Sequence, residues 1–144
     1  MFRKLDDKIY ASPQIGVEDI ARAKALGMGL IVNNRPEHES DDQTSGTDIE
    51  AATRAAGLDY CAIPITHAGF SGQQVAAMRN ALDGAGGAAV LAYCRSGTRS
   101  TLLWALAEAS AGRSPDAIAA AAAGAGYDVS PIRAQLDMLS ARTA

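Results

Sequence analysis

The sequence of 144 residues contains no long hydrophobic run. A helix that crosses a membrane needs about 20 consecutive apolar residues, and no stretch of this chain approaches that length. The amino terminus, Met-Phe-Arg-Lys-Leu-Asp-Asp, has no apolar segment of the kind found in secretory signal peptides. Because only two cysteines are present and no such signal precedes them, both are expected to be free thiols in a reducing compartment. These absences predict a cytoplasmic protein with no membrane partner.

Basic residues are not in excess, since the formal net charge is −3 at pH 7. Proteins that bind nucleic acids normally carry a basic surface, so we expect no nucleic-acid partner. Cysteine and histidine lack the spacing of a structural zinc site, and we predict no metal ion and no cofactor. A content of 48% hydrophobic and 20% charged residues is typical of a globular protein and predicts a single domain over residues 1–144. The oligomeric state is left open.

Apolar segments with the length of strands alternate with segments of helical periodicity. The predicted strands are residues 8–11, 30–32, 58–63 and 90–93. The predicted helix starts are capping boxes at Thr47–Glu50 and Ser71–Gln74, and proline at the first helical position after Ser114 and Ser130. This order predicts an α/β fold with a mostly parallel central sheet of four or five strands flanked by helices. Because ligands bind at the carboxyl ends of such strands, the loops 33–46, 64–70 and 94–99 are expected to form one cleft.

The segment from Val90 to Leu102 joins an apolar strand to a helix through a cysteine. Cys94 directly follows the strand, and Gly97 allows the chain to turn sharply. The first amides of the helix have no partner within it, so they can bind an anion above the sulfur and favour its thiolate form. The planar guanidinium of Arg99 can bind two anion oxygens, and Ser100 can hydrogen-bond the thiolate or assist its departure. We predict that Cys94, Arg99 and Ser100 are catalytic and that the sulfur faces solvent.

The residues between Cys94 and Arg99 are predicted to form the anion-binding loop; they are Arg95, Ser96, Gly97 and Thr98. Arg95 is expected to point outward at the mouth of the cleft. The alternative is that Cys94 is a buried structural cysteine. The arginine, serine and glycine that follow Cys94 argue against this alternative.

Two residues outside this loop are further candidates for the cleft. Arg35 could help to hold an anionic substrate, or it could brace its own loop by pairing with Glu37 or Glu39. His67 could donate a proton, because histidine titrates near neutral pH, or it could be an ordinary exposed histidine. The carboxylates that could act as a replacement acid are Glu39, Asp41 and Asp42.

The chain resembles a known family through four segments, which are Ile31-Val-Asn-Asn-Arg-Pro36, Ala55 to Ile65, Tyr93-Cys-Arg-Ser-Gly-Thr-Arg-Ser100 and Ala125-Gly-Tyr-Asp128. From about Leu5 to Leu139 it resembles the phosphatase-like domain of the beta-lactamase hydrolase-like proteins, which are bacterial. The resemblance implies a three-layer fold like that of dual-specificity and tyrosine phosphatases. It also implies hydrolysis of phosphate esters through a phosphorylated Cys94.

Two departures from a tyrosine phosphatase affect the predicted reaction. Those phosphatases have five residues between cysteine and arginine, whereas Cys94 and Arg99 are separated by four, as in rhodanese-type sulfurtransferases. The loop from Pro64 to Ser71 contains no carboxylate where those phosphatases carry an aspartate acid. A sulfurtransferase needs no strong acid, and in bacterial relatives this domain can be fused to a hydrolase resembling persulfide dioxygenases.

We therefore predict a sulfurtransferase that works through a Cys94 persulfide and takes a small anionic substrate such as thiosulfate. The alternative is a phosphomonoester phosphatase that works through a Cys94 phosphoenzyme. A third hypothesis is a pseudo-enzyme that binds anions or phosphorylated partners. The sequence also leaves open whether Cys61 forms a disulfide with Cys94, which would need Cα atoms within about 7 Å.

Overall fold

The computed structural model describes residues 1–143, so Ala144, the last residue of the predicted domain, lies outside the described residues. The strands are β1 (Arg3–Asp6), β2 (Ile9–Ser12), β3 (Met28–Asn33), β4 (Asp59–Ala62) and β5 (Ala89–Tyr93). The helices are α1 (Asp19–Ala25), α2 (Gly46–Ala55), α3 (Gly72–Gly84), α4 (Thr98–Ser110), α5 (Pro115–Gly124) and α6 (Arg133–Thr143), with a short 3-10 turn at Ser130–Ile132.

The strands form one sheet in the order β1-β2-β5-β3-β4. Strand β1 is antiparallel to β2, and the other neighbours are parallel. The predicted α/β fold with a mostly parallel sheet is confirmed. The sequence prediction missed β1, in which three of the four residues are charged and only Leu5 is buried. Charged side chains are common on edge strands, because they discourage pairing with other chains.

Both faces of the sheet are covered, which gives three layers. Successive strand residues point to opposite faces, so Ile31 packs towards α1 and α2 while Val32 packs towards the other helices. Helix α4 lies at the centre of the larger core, and its Trp104 is fully buried. The cysteine-containing loop therefore joins the central strand β5 to the most buried helix, which holds both of its ends in place.

Local capping signals located some helix starts correctly and one incorrectly. Ser71 and Gln74 form the predicted capping box, and Ser114 caps α5 ahead of its proline. The predicted capping box at Thr47 is wrong, because α2 begins at Gly46 and the side chain of Ser45 accepts the amide of Asp48. Proline at 131 lies in the 3-10 turn that precedes α6.

Among the described residues, no helix combines the length and the apolar character that crossing a membrane would require.

Candidate active site

The loops that follow β3, β4 and β5 meet at one edge of the sheet. They enclose a cleft of about 450 Å³, whose lining residues are Pro36, Glu39, Thr66, His67, Arg95 and Arg99. The three loops predicted to converge thus do so, because parallel strands end at a common edge.

Cys94 lies between the end of β5 and the start of α4. Its backbone amide continues the sheet pattern by donating to the carbonyl of Ser12 at 3.3 Å. The amide of Gly97 donates to the Cys94 sulfur at 3.1 Å. An amide directed at the sulfur from the start of a helix is the arrangement that favours a thiolate.

The sulfur does not face open solvent, which corrects one sequence-based prediction. Cys94 has 0% exposure. The amide of Gly97 lies against the sulfur, the guanidinium of Arg99 is close enough to interact with it, and Tyr127 packs against Gly97 in the same loop. The sequence pattern could not indicate how closely other elements pack around the sulfur.

Gly97 is required by both backbone and space. Its φ of +92° lies in the left-handed region that favours glycine. A Cβ atom at this position would overlap the hydroxyl of Tyr127. The predicted sharp turn is therefore present, and Tyr127 packs directly against it.

Glu39 and Ile65 hold one side of the Arg99 guanidinium and leave the adjacent side open. Nη1 and Nη2 donate to the two carboxylate oxygens of Glu39 at 2.7 and 2.8 Å, and Nη1 also donates to the carbonyl of Ile65 at 2.8 Å. The adjacent edge, formed by Nε–H and the second N–H of Nη2, contacts neither Glu39 nor Ile65, and the guanidinium lies within interaction distance of the Cys94 thiol. This edge is a planar fork of the kind that binds two oxygens of an anion.

Glu39 is held as a carboxylate. Its Oε1 also accepts a hydrogen bond from Nε of Arg35 at 3.0 Å. The hydrogen bonds from Arg99 and then Arg35 lower the pKa of Glu39 to about 2. Glu39 is therefore ionised at neutral pH and has no proton to donate, which argues against it as the replacement acid. Its geometry is that of a residue that orients Arg99.

Arg35 lies behind Glu39 and outside the lining of the cleft. It is 5% exposed and donates to Glu39, to Oε1 of Gln14 at 2.9 Å and to Oγ of Ser40 at 3.0 Å. These contacts support the alternative in which Arg35 braces its own loop, because all three partners of Arg35 lie in that loop or in a neighbouring one.

His67 and Arg95 are exposed and both line the cleft. Arg95 lies at the mouth, where the sequence places it. The loop that carries His67 is tied to the site on both sides of Ile65, whose amide donates to Asn34 and whose carbonyl accepts from Arg99. His67 is the titratable group that this loop presents to the cleft, and its role as proton donor stays a prediction.

Ser100 is fully buried and its hydroxyl donates to Oδ1 of Asn34 at 2.8 Å. Because a hydroxyl has one proton, a hydrogen bond from Ser100 to a thiolate requires this side chain to turn away from Asn34. Asn34, which the sequence analysis did not single out, also donates to the carbonyl of Ile63 at 2.9 Å. The signal for it was available, since an asparagine directly after a buried strand must find hydrogen-bond partners.

Ser96 and Thr98 complete the loop on its exposed side. The amide of Thr98 donates to Oγ of Ser96 at 3.3 Å, and the two hydroxyls are 3.0 Å apart. These contacts stabilise the turn into α4.

Cys61 and Cys94 are both free thiols. Cys61 lies on β4, and β3 separates that strand from β5. Two strand spacings amount to about 9.5 Å, which exceeds the Cα separation of a disulfide. Burial raises the pKa of the Cys61 thiol, so it is the less reactive type of cysteine.

Within residues 1–143, no group of three or more histidine, cysteine, aspartate or glutamate side chains could hold a metal ion.

Comparison with known proteins places these features in a family. Residues 1–111 match the family model described as "Beta-lactamase hydrolase-like protein, phosphatase-like domain". A beta-lactamase hydrolase-like protein of Agrobacterium fabrum is 31% identical over 110 residues, which are 76% of this chain and 25% of that protein. The chain thus spans about a quarter of the length of the curated relatives it matches.

Solved structures show the same fold. A putative phosphatase from Neisseria meningitidis superposes with a TM-score of 0.81 at 33% identity, covering 96% of this chain and 97% of that one. TpbA of P. aeruginosa, solved with phosphotyrosine, superposes with a TM-score of 0.67 at 17% identity, covering 96% and 86%, which shows the fold alone. The chain belongs to the family of the phosphatase-like domain of beta-lactamase hydrolase-like proteins.

Proposed function

We propose that this domain hydrolyses phosphate monoesters through Cys94, with the phosphoryl group bound by the free fork of Arg99 and by the loop amides. The observation that carries the proposal is the edge of Arg99 that Glu39 and Ile65 leave open beside Cys94, because a fixed guanidinium fork matches two phosphate oxygens. The phosphatase-like family and the phosphotyrosine-bound neighbour of the same fold support this reaction over the sulfurtransferase that the sequence favoured.

The reaction would proceed in two displacements. The Cys94 thiolate attacks phosphorus, an S–P bond forms, and the P–O bond to the leaving group breaks, so the alkoxide or phenoxide departs with its electron pair and takes a proton. Water then attacks the phosphocysteine, a P–O bond forms, the S–P bond breaks, and inorganic phosphate and the thiolate are released. Arg99 and the amide of Gly97 would stabilise the charge on the transferred group and on the sulfur.

Departure of the leaving group is the step of this reaction that needs a proton donor. Glu39 is ionised by its arginine partners, and the loop from 64 to 71 contains no carboxylate. His67, exposed in the cleft, is the proton donor that we propose. Esters with good leaving groups, which need no protonation, should therefore be hydrolysed fastest.

Sulfur transfer is the second candidate, and the four-residue spacing from Cys94 to Arg99 favours it. Here the thiolate attacks the outer sulfur of thiosulfate, an S–S bond forms, and sulfite leaves with the electron pair of the broken bond. An acceptor thiolate or cyanide then takes the outer sulfur from the persulfide and regenerates the Cys94 thiolate. No step requires an acid, which agrees with the missing carboxylate.

One pair of assays separates these reactions. We expect release of nitrophenol from p-nitrophenyl phosphate and no thiocyanate from thiosulfate with cyanide. Cys94→Ser should abolish turnover and Cys61→Ser should retain it. Arg99→Lys should lower kcat/KM by about 10²-fold or more, because one ammonium group cannot bind both Glu39 and the substrate as a fork.

Thiocyanate release without nitrophenol release would overturn the phosphatase proposal in favour of sulfur transfer. Absence of both products, with inorganic phosphate still protecting Cys94 from iodoacetamide, would leave an anion-binding pseudo-enzyme and would contradict both reactions.

A further inference from the structure

Tyr127 lies in the segment between α5 and the 3-10 turn, beyond the residues 1–111 that the family model matches. It lines a groove with Asp128 and Arg133 rather than the cleft that contains Arg99. Nevertheless its hydroxyl donates to the carbonyl of Ser96 at 3.1 Å. A side chain from the C-terminal part of the chain thus contacts the backbone of the cysteine loop.

The peptide unit that Tyr127 contacts is the one whose amide binds the sulfur. The carbonyl of Ser96 and the amide of Gly97 belong to the same planar peptide, and in a trans peptide they point in opposite directions. Tyr127 binds the carbonyl, and the amide donates to the Cys94 sulfur at 3.1 Å. Holding the oxygen outward therefore keeps the N–H directed inward.

The position of Tyr127 is itself fixed. Nη1 of Arg3 on β1 donates to the carbonyl of Ala125 at 3.1 Å, and the Arg3 guanidinium lies 5.4 Å from the centroid of the Tyr127 ring. Gly97 has no Cβ, which leaves the space that the tyrosine hydroxyl occupies. The contact is thus built from three separate parts of the chain.

We propose that Tyr127 is a positioning residue that sets the orientation of the Ser96–Gly97 peptide and thereby stabilises the anionic sulfur of Cys94. A hydrogen bond to the carbonyl also polarises the peptide and strengthens its N–H as a donor. The proposal rests on the proposed function in that Cys94 acts as a thiolate. It adds that the segment after residue 111 contributes to the site.

The test measures the rate of Cys94 alkylation by iodoacetamide against pH, in a Cys61→Ser background with a single thiol. Tyr127→Phe removes the hydroxyl and keeps the ring, and the loss of one hydrogen bond should move the pH of half-maximal rate upward by roughly 0.5 to 1 unit. The matched control is Tyr10→Phe, which makes the same change at a half-buried tyrosine on β2, whereas the hydroxyl bonded to the Ser96 carbonyl is that of Tyr127. The thermal midpoint of each variant is recorded to separate a change at the sulfur from a change in the fold.

A pH profile for Tyr127→Phe that coincides with that of Tyr10→Phe would overturn the proposal, whether both profiles are shifted or neither is. If Tyr127→Phe does not fold, Arg3→Leu, which releases the tyrosine ring, should give a smaller shift in the same direction, and no shift would overturn it. Catalytic assays with p-nitrophenyl phosphate and with thiosulfate are read separately. If the parent chain is inactive in both catalytic assays, the proposed function is contradicted. The alkylation experiment then still tests the role of Tyr127.

Discussion

Arg99 uses three of its N–H groups on Glu39 and Ile65, which come from two different loops. The guanidinium cannot rotate without breaking these bonds, so its remaining fork has a fixed direction. The Cys94–Arg99 spacing predicts an anion-binding role for Arg99, but it does not predict that Glu39, which is 60 positions away, orients the guanidinium. Contacts at that separation leave no local pattern in a sequence.

The ionisation of Glu39 should appear in the pH dependence of stability. Arg99 and Arg35 lower the pKa of this carboxyl from 4.5 to about 2 in the folded chain. A lowered folded-state pKa contributes stability that is fully present above the unfolded value and is lost as the pH falls towards 2. We therefore expect Glu39→Gln to have a smaller fall in the free energy of unfolding between pH 4.5 and 2 than the parent chain, measured by urea titration.

The control for this measurement is Glu50→Gln. Glu50 pairs with Arg54 on an exposed face of α2, where an ion pair contributes little. A parent chain and a Glu39 variant with the same pH dependence would contradict the assignment of Glu39 as an ionised partner of two arginines.

At the scale of elements, predictions succeeded where the signal is local. The capping box at Ser71 and the proline after Ser114 act within one turn of their own helices, and both were read correctly. The start of α2 was placed two residues late, because the side chain of Ser45 rather than that of Thr47 caps the helix, and Glu37 from the preceding loop also accepts the amide of Gly46 at 2.6 Å. Strand β1 was missed because only Leu5 in it is buried.

The loops of the site are joined by one buried side chain, Asn34. The side chain of Asn34 contacts Ser100 at the start of α4 and the carbonyl of Ile63 after β4. The backbone N–H of Asn34 donates to the carbonyl of Tyr93 at 2.8 Å. Asn34→Ala would leave the Ser100 hydroxyl and the Ile63 carbonyl buried without partners. We expect a loss of about 2 to 4 kcal/mol in the free energy of unfolding by urea titration.

Asn80→Ala is the matched control, because Asn80 is exposed on α3 and should change stability little. Equal stability of the two variants would show that Asn34 does not hold the loops together.

At the scale of the whole molecule, the C-terminal helices belong to the main core. Ile118 of α5 and Leu136 of α6 are fully buried in the same cluster as Trp104. Burial of one such side chain contributes about 1.5 to 3 kcal/mol, and a domain has about 5 to 15 kcal/mol of net stability. The core therefore extends well beyond the residues 1–111 that identify the family.

A chain shortened to residues 1–111 should consequently lose cooperative thermal unfolding, as followed by circular dichroism. A chain shortened to residues 1–140 is the control, since it lacks from α6 only exposed residues. A cooperative transition in the 1–111 chain at the temperature of the full chain would contradict a shared core.

The burial of Cys94 also determines which chemicals can find it. With 0% exposure, Cys94 should react with a compact alkylating reagent more readily than with a bulky maleimide dye. Cys61, only partly covered on the sheet edge, would take up such a dye instead. A fluorescent thiol count would then register Cys61 and miss Cys94, so a compact alkylating reagent is the probe suited to Cys94.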